Sequence, residues 1–393
     1  MDMAAVGATD AGGCNRQALS DLDLEGRQLF QQWCLAAGCS IEHDAIGNMF
    51  VRRPGRESLP PVMSGSHLDT QPTGGKFDGV YGVLATLEVV ETLNDQQIET
   101  DHPIDIVVWT NEEGSRFDCA MMGSAVWSGN LSTEDACNLA DLEGTTVGQE
   151  LSRLALAGDR PYDHNIKAAF ELHIEQGPIL EANHTPIGIV TGVQHMCRYR
   201  IRIHGQESHA GPTPMSMRRD PMMSVSEFLQ ACYQSADNHA PDGRITFGYI
   251  SASPGSPNTV PGSVELTVDL RHPNEAAYRT MQTMLEDDIA SACEKFANVL
   301  ECERVWEAPG VTFDATCVDY VRAGAQAAGL ATVEMTSGAG HDACNIDSVA
   351  PTAMIFIPCD GGLSHNEAEN ISADQAADGA NVLLHAILAA AKN

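Results

Sequence analysis

The hydrophobic pattern changes twice along this chain, and those changes constrain its fold more than any other feature. Up to about residue 193 the candidate strands are short, largely apolar runs, among them "PIDIVVWTNEE" and "LPPVMSGSHLDT". Such runs suit strands covered on both faces. From 194 the texture differs. In "RYRIRIHG", Tyr199, Ile201 and Ile203 alternate with Arg198, Arg200, Arg202 and His204, and Val264, Leu266, Val268 and Leu270 repeat the pattern. Strict alternation marks strands with one face in solvent. From about 312 the first texture returns, with a helix at 314–328, the strand "AMIFIP" at 353–358 and a closing helix from about 373.

These segments predict an α/β domain with a mostly parallel sheet over 1–193 plus 312–393. Between them, the order strand, helix, strand, strand, helix, strand predicts a ferredoxin-like α+β domain inserted at 194–311. A length of 393 residues agrees with two domains, since it exceeds what one core usually supports. Leu19, Leu22, Leu24, Leu29, Phe30, Trp33 and Leu35 predict a helix from 15 to about 38 with that apolar face. The preceding "MDMAAVGATDAGG" reads as a flexible tail without the pattern of a secretory signal.

The formal net charge of −32, from 54 acidic and 22 basic residues, argues strongly against a nucleic-acid or anionic-membrane partner, which would need a basic footprint. Only Lys76, Lys167, Lys295 and Lys392 are lysines; a salt-adapted surface or a GC-rich genome would each give that bias. No run approaches eighteen uninterrupted apolar residues, so no membrane span is expected. The twelve cysteines, scattered from Cys14 to Cys359 with no C-x-x-C spacing, read as reduced thiols of a cytoplasmic protein.

The chemistry concentrates at strand ends. His67, Asp69 and Asp78 lie within twelve residues in "SGSHLDTQPTGGKFDGVYG", on a strand end, a glycine-bearing loop and a helix start. An aspartate before glycine at a helix start is also an ordinary N-cap. Glu112 and Glu113 follow a strongly apolar strand; adjacent carboxylates at a buried rim repel unless a cation or shared proton compensates. Glu171, His173 and Glu175 share a face of "ELHIEQGP", and His365 sits in the polar loop "GGLSHNEAE". In open α/β sheets ligands gather beyond the carboxyl ends of strands, where most of these residues fall. Nitrogen and oxygen ligands without thiolate suit zinc, and would accept manganese, cobalt or nickel.

The motifs "GSHLDTQPTGGKFDGVYGVL", "TNEEGSRF", "ELHIEQGP", "SHAGPTPM", "SGAGHDA" and "LSHNEAE" occur in an order that resembles the dinuclear-metal amidohydrolases of the M20 peptidase superfamily. Within it the chain is similar to the hydantoinase/carbamoylase branch, across residues 15 to 390. The resemblance implies two divalent ions per subunit, with Asp78 bridging them. His67 and His173 would complete one site, Glu113 and His365 the other. It further implies Glu112 as general base, Asp69 as the support of His67, and His209 as an oxyanion-stabilising residue supplied across a homodimer. Asn258 and Arg271 would clamp a substrate carboxylate, and Gln176, Gly338 in the "SGAG" turn and His341 would line the pocket.

The implied reaction is hydrolysis of the N-carbamoyl (ureido) group of a small carboxylate substrate, an N-carbamoyl-L-amino acid or N-carbamoyl-β-alanine. Allantoate or ureidoglycolate hydrolysis, an aminoacylase or dipeptidase, and a non-catalytic amino-acid-binding protein are the alternatives. The last would be expected to lack ligands or the base, and none of those positions is missing.

Overall fold

A computed structural model describes residues 1–392, and these divide into two compact units, one of 1–192 with 312–392 and one of 193–311. The fold is α/β. In the larger unit a nine-stranded sheet runs in the order 40–43, 49–53, 104–109, 62–67, 168–174, 352–357, 187–193, 311–312, with 332–337 also paired to 187–193. Its central strands 104–109, 62–67, 168–174 and 352–357 are mutually parallel, and their neighbours on both sides are antiparallel. Every residue of these four strands is buried, as expected for apolar runs covered on both faces. Helices Val80–Asp95, Ala373–Ala390 and Ala315–Ala328 pack in that spatial order. Among the described residues no helix is long and apolar enough to cross a membrane.

Parallel strands deliver their carboxyl ends to one edge. His67 ends its strand level with Trp109, and His173 lies level with Phe356. The loops beyond these ends carry the polar residues that the sequence singles out.

The smaller unit has four antiparallel strands in the order 299–308, 195–204, 263–272, 244–253, with helices Pro221–Asn238 and Glu275–Lys295. Numbered along the chain, that is order 4-1-3-2 of a ferredoxin-like sheet. Tyr199, Ile201, Ile203, Val264, Leu266, Val268 and Leu270 are buried and join Phe228, Tyr278, Met281 and Leu285 in its core.

Two sequence expectations are corrected. The first long helix is Asp21–Ala36, capped by the Ser20 side chain, and Leu19 lies before it at φ 55°. Its buried face matches the expected set only in part: Phe30 is buried, as is Leu19 before the helix, and Leu24, Leu29 and Trp33 are half-buried, but Leu22 and Leu35 are exposed, and Asp23, Gly26, Arg27 and Cys34 are buried instead. A buried pair between Arg27 Nε and Asp23 Oδ1 at 3.0 Å, with Arg27 also donating to the Gly47 carbonyl, satisfies the charged groups in place of apolar packing. The N-terminal segment is not a loose tail. Met3, Val6, Cys14 and Arg16 are buried, and the Arg16 guanidinium donates to the carbonyls of Met3, Val6 and Leu68. One side chain thereby ties a glycine-rich segment, with no periodicity of its own, to the sheet edge.

Candidate metal centre

Two groups of side chains at the strand-end edge of the larger unit have ligand atoms all within 4.8 Å of one another and share one residue: His67, Asp78 and His173; and Asp78, Glu113 and His365. Asp78 presents one carboxylate oxygen to each. Oδ1 lies 3.1 Å from His173 Nε2 and 3.7 Å from His67 Nε2, whereas Oδ2 lies 3.6 Å from His365 Nε2. Glu113 Oε2 is 3.3 Å from the same His365 nitrogen.

Local backbone geometry explains this convergence. The N-cap of helix Val80–Asp95 is Gly79 at φ 65°, and no side chain caps it, so Asp78 is not used as a helix cap. A Cβ at Gly79 would lie 2.3 Å from His67 Nε2, so glycine lets the turn pass directly over the imidazole. His67 Nδ1 donates to the Asp69 carbonyl and His173 Nδ1 to the Ile174 carbonyl, both at 2.9 Å. Those bonds keep a proton on each Nδ1 and leave both Nε2 atoms turned toward Asp78, the usual support of a metal-binding histidine. Gln176 at φ 56° and His365 at φ 53° both adopt the left-handed conformation, which is uncommon for residues with a Cβ and concentrates at functional sites.

Glu112 and Glu113 leave strand Ile104–Trp109 through Asn111, itself at φ 56°. The Asp69 carboxylate accepts from the Glu113 and Glu112 amides at 3.2 and 3.4 Å. Asp69 thus meets His67 through its backbone carbonyl and uses its side chain to aim the two glutamates. Glu112 Oε2 lies 3.3 Å from His67 Nε2. Glu113 accepts from the Gln71 amide and side chain, at 3.2 and 2.7 Å.

The site holds far more buried negative charge than the protein balances. Burial, then Asp342 and Glu113, pushes Glu112 well above the ordinary carboxylate range; burial, then Asp78, does the same to Glu113. Burial and Asp23 raise Asp69 to about 7. Asp342 is raised by burial and Glu171. Asp78 alone goes the other way: burial opposes its charge, and His173 and His67 overcome it. Burial would lower His173, yet the adjoining Asp78 carries it up to about 9, whereas burial depresses His67 to about 4. Carboxylates and imidazoles converging this closely suit divalent cations, which would replace the proton between His173 and Asp78 and relieve the crowded glutamates. The donor set therefore fits metal.

The sequence singles out Gln176, Glu171 and His341, but not Ser364 or Glu369. Gln176 Nε2 and Ser364 Oγ both donate to Asp78 Oδ2, at 2.7 and 2.5 Å. Glu369 accepts from the Phe77 and Asp78 amides at 2.9 and 3.0 Å. Glu171 accepts from Ser66 Oγ and the Ala343 amide, and forms a third candidate cluster with His173 and His341. The signal for Ser364 and Glu369 was their place in "LSHNEAE", where acidic loop residues otherwise read as solvated surface. His341 packs its ring 4.7 Å from that of His173 and shares a hydrogen bond with Ser337 Oγ; Gly338 lies in the same turn. Glu175 instead accepts from the Ile179 and Leu180 amides at the start of a short helix.

His209, Asn258 and Arg271 lie in the smaller unit. His209 and Asn258 are exposed neighbours: Thr259 pairs with His209, and the Ala210 amide donates to the Asn258 carbonyl. The Gly211 amide donates to His209 Nδ1 at 3.1 Å, so Nε2 carries the proton and faces outward as a donor. Arg271 Nε and Nη2 donate to Asp269 at 2.5 and 3.1 Å.

Comparison with known proteins agrees with this geometry. Residues 63–389 match the model of peptidase family M20/M25/M40. The chain is 46% identical to the N-carbamoyl-L-amino-acid amidohydrolase of Rhizobium meliloti, over 100% of its own length and 95% of the relative's. It is 33% identical to the allantoate amidohydrolase of Escherichia coli K12, over 97% and 94%. The crystal structure of an amidase of the hydantoinase/carbamoylase family from Burkholderia multivorans superposes with a TM-score of 0.97 at 47% identity, covering 100% of this chain and 96% of that one. A parallel-sheet frame, a carboxylate shared between two ligand groups and these similarities place the chain in the metal-dependent peptidase family M20/M25/M40.

Proposed function

We propose that the protein hydrolyses the N-carbamoyl group of a small carboxylate substrate, an N-carbamoyl-L-amino acid or N-carbamoyl-β-alanine, releasing ammonia, carbon dioxide and the amino acid. The observation carrying this reading is the Asp78 carboxylate, which turns one oxygen toward His67 and His173 and the other toward His365, beside Glu113. Asp78 would bridge two ions, held on one side by His67 and His173 and on the other by Glu113 and His365. Bound there, divalent ions (zinc first, with manganese, cobalt or nickel as substitutes) would supply Lewis-acid polarisation and an acidified water.

Glu112 is the base. Its buried carboxylate, raised in proton affinity, accepts a proton as water adds to the ureido carbonyl and passes it to the departing nitrogen. The terminal C–N bond breaks, ammonia leaves, and the remaining carbamate decomposes to carbon dioxide and the amine. Asp69 aims Glu112 through its amide. The outward Nε2–H of His209 suits an oxyanion. Asp269 aims the Arg271 fork, which with Asn258 would take the substrate carboxylate, a bidentate task suited to guanidinium. Gln176, Gly338 and His341 would line the pocket.

A homodimer is part of the reading. Strand Arg244–Ser253 lies at the sheet edge of the smaller unit, carries no charge beyond Arg244 and is mostly exposed, with Tyr249 and Ile250 outward. Natural edges of that length are normally charged or covered. The free state of all twelve cysteines supports a reducing, cytoplasmic setting.

Ammonia release from N-carbamoyl-β-alanine, N-carbamoyl-L-methionine and allantoate, with metal supplied, tests the reading. Turnover of a carbamoyl substrate is expected; turnover of allantoate alone selects that substrate, and no ammonia from any of them refutes the proposal.

A further inference from the structure

The two ligand groups are supported differently. His67 and His173 stand on the ends of central strands, with each Nδ1 bonded to a carbonyl within two residues. Glu113 and His365 stand on loops, and 54% of the His365 side chain is exposed. Their loops are held from behind by the N-terminal segment.

That segment makes continuous contact with residues 68–74. The Arg16 amide donates to Thr70 Oγ1 at 2.8 Å, and the Thr70 amide to the Arg16 carbonyl at 3.0 Å. Cys14 and Gly74 exchange backbone bonds at 2.9 and 3.0 Å. The stretch so fixed contains Gln71, whose amide and side chain grip the Glu113 carboxylate. The same segment reaches the loop of His365, two residues from the imidazole: Thr9 Oγ1 donates to Glu367 Oε1 at 2.5 Å. Gly13 lies flat between both loops, for a Cβ there would fall 2.4 Å from the Gly74 carbonyl oxygen and 2.6 Å from Glu367 Cγ.

We propose that residues 7–16 form a positioning strap that sets the Glu113–His365 side of the centre, acting through Gln71 and Glu367, while leaving the His67–His173 side to the sheet. The inference rests on the two-ion reading and adds an asymmetry to it: damage to the strap weakens one ion selectively. None of the strap residues belongs to either ligand group; they act through residues beside those ligands.

The test uses the full chain loaded with zinc. Thr9→Val removes the hydroxyl at nearly constant shape, Gly13→Ala lifts the segment off both loops, and Thr9→Ser keeps the hydroxyl. Zinc per chain is measured against a rising concentration of a competing chelator, with a melting curve for each variant. Both lesions are expected to leave the tighter zinc unchanged and to weaken the other by about tenfold or more, the usual cost of losing support behind a ligand. Thr9→Ser should retain both affinities. Equal weakening of both ions, or no change in either lesion variant, overturns the strap. A wild-type chain that binds fewer than two zinc ions refutes the two-ion reading, and the strap proposal with it.

Discussion

Changing Glu369 to glutamine in the metal-free protein isolates the effect of one buried charge. The side chain is essentially inaccessible, and burial together with the Asp78 charge raises its carboxyl from the usual 4.5 to about 7. A carboxyl with a higher pKa in the folded state than in the unfolded chain holds its proton more tightly when folded. Its contribution to stability is complete below about pH 4.5 and is lost as pH rises to about 7. Between pH 5.5 and 8 the loss amounts to about 2 kcal/mol, at roughly 1.4 kcal/mol per pH unit over the remaining titration. Glutamine cannot ionise, yet it keeps the one oxygen, Oε1, that accepts from both the Phe77 and Asp78 amides. Melting curves in chelator at pH 5.5 and 8 should therefore show wild type losing about 4 °C more than Glu369→Gln across that interval, taking ~2 °C per kcal/mol for a unit of this size. Parallel losses in the two proteins would mean that Glu369 is not held neutral, and the account of its environment would be wrong.

Other outcomes follow from the same geometry. Glu112→Gln should lower turnover by at least about 100-fold with zinc content and melting temperature unchanged; retained activity would remove Glu112 as the base. In Gly79→Ala the new methyl falls 2.3 Å from His67 Nε2, on a backbone at φ 65° that resists a Cβ. That variant should lose zinc at unchanged far-ultraviolet circular dichroism, and full zinc occupancy would contradict the close approach. Ile250→Lys places a charge on the bare edge strand and should shift sedimentation from dimer to monomer with loss of turnover; a fully active monomer would exclude His209 acting across subunits.

What the sequence revealed about the fold tracks how local the cause is. The buried central strands are legible because parallel strands covered on both faces are mostly apolar without alternating, and the smaller unit because half-exposed strands must alternate. His67 and His173 were readable for the same reason: a polar residue at or next to the end of such a run falls at a sheet edge. The helix at 21–36 misled in part because its buried face pairs Arg27 with Asp23, which apolar periodicity does not mark, while Leu22 and Leu35 face solvent. The N-terminal segment misled because its order comes from Arg16 reaching carbonyls at positions 3, 6 and 68, which leaves no periodic trace. Glu369 lies 291 residues from the Asp78 amide it accepts from, and such pairings have no local signature.

The two crossings between the units have a practical meaning. Phe313 donates its amide to the Thr191 carbonyl at 3.0 Å, so the larger unit's chain leaves and returns at neighbouring points in its own sheet. Closing that gap with a short turn would cost little loop entropy, because the ends are already in register. The smaller unit is therefore a replaceable cassette, and exchanging it among relatives would vary the residues at His209, Asn258 and Arg271 while the frame carrying His67, Asp78 and His173 stays intact.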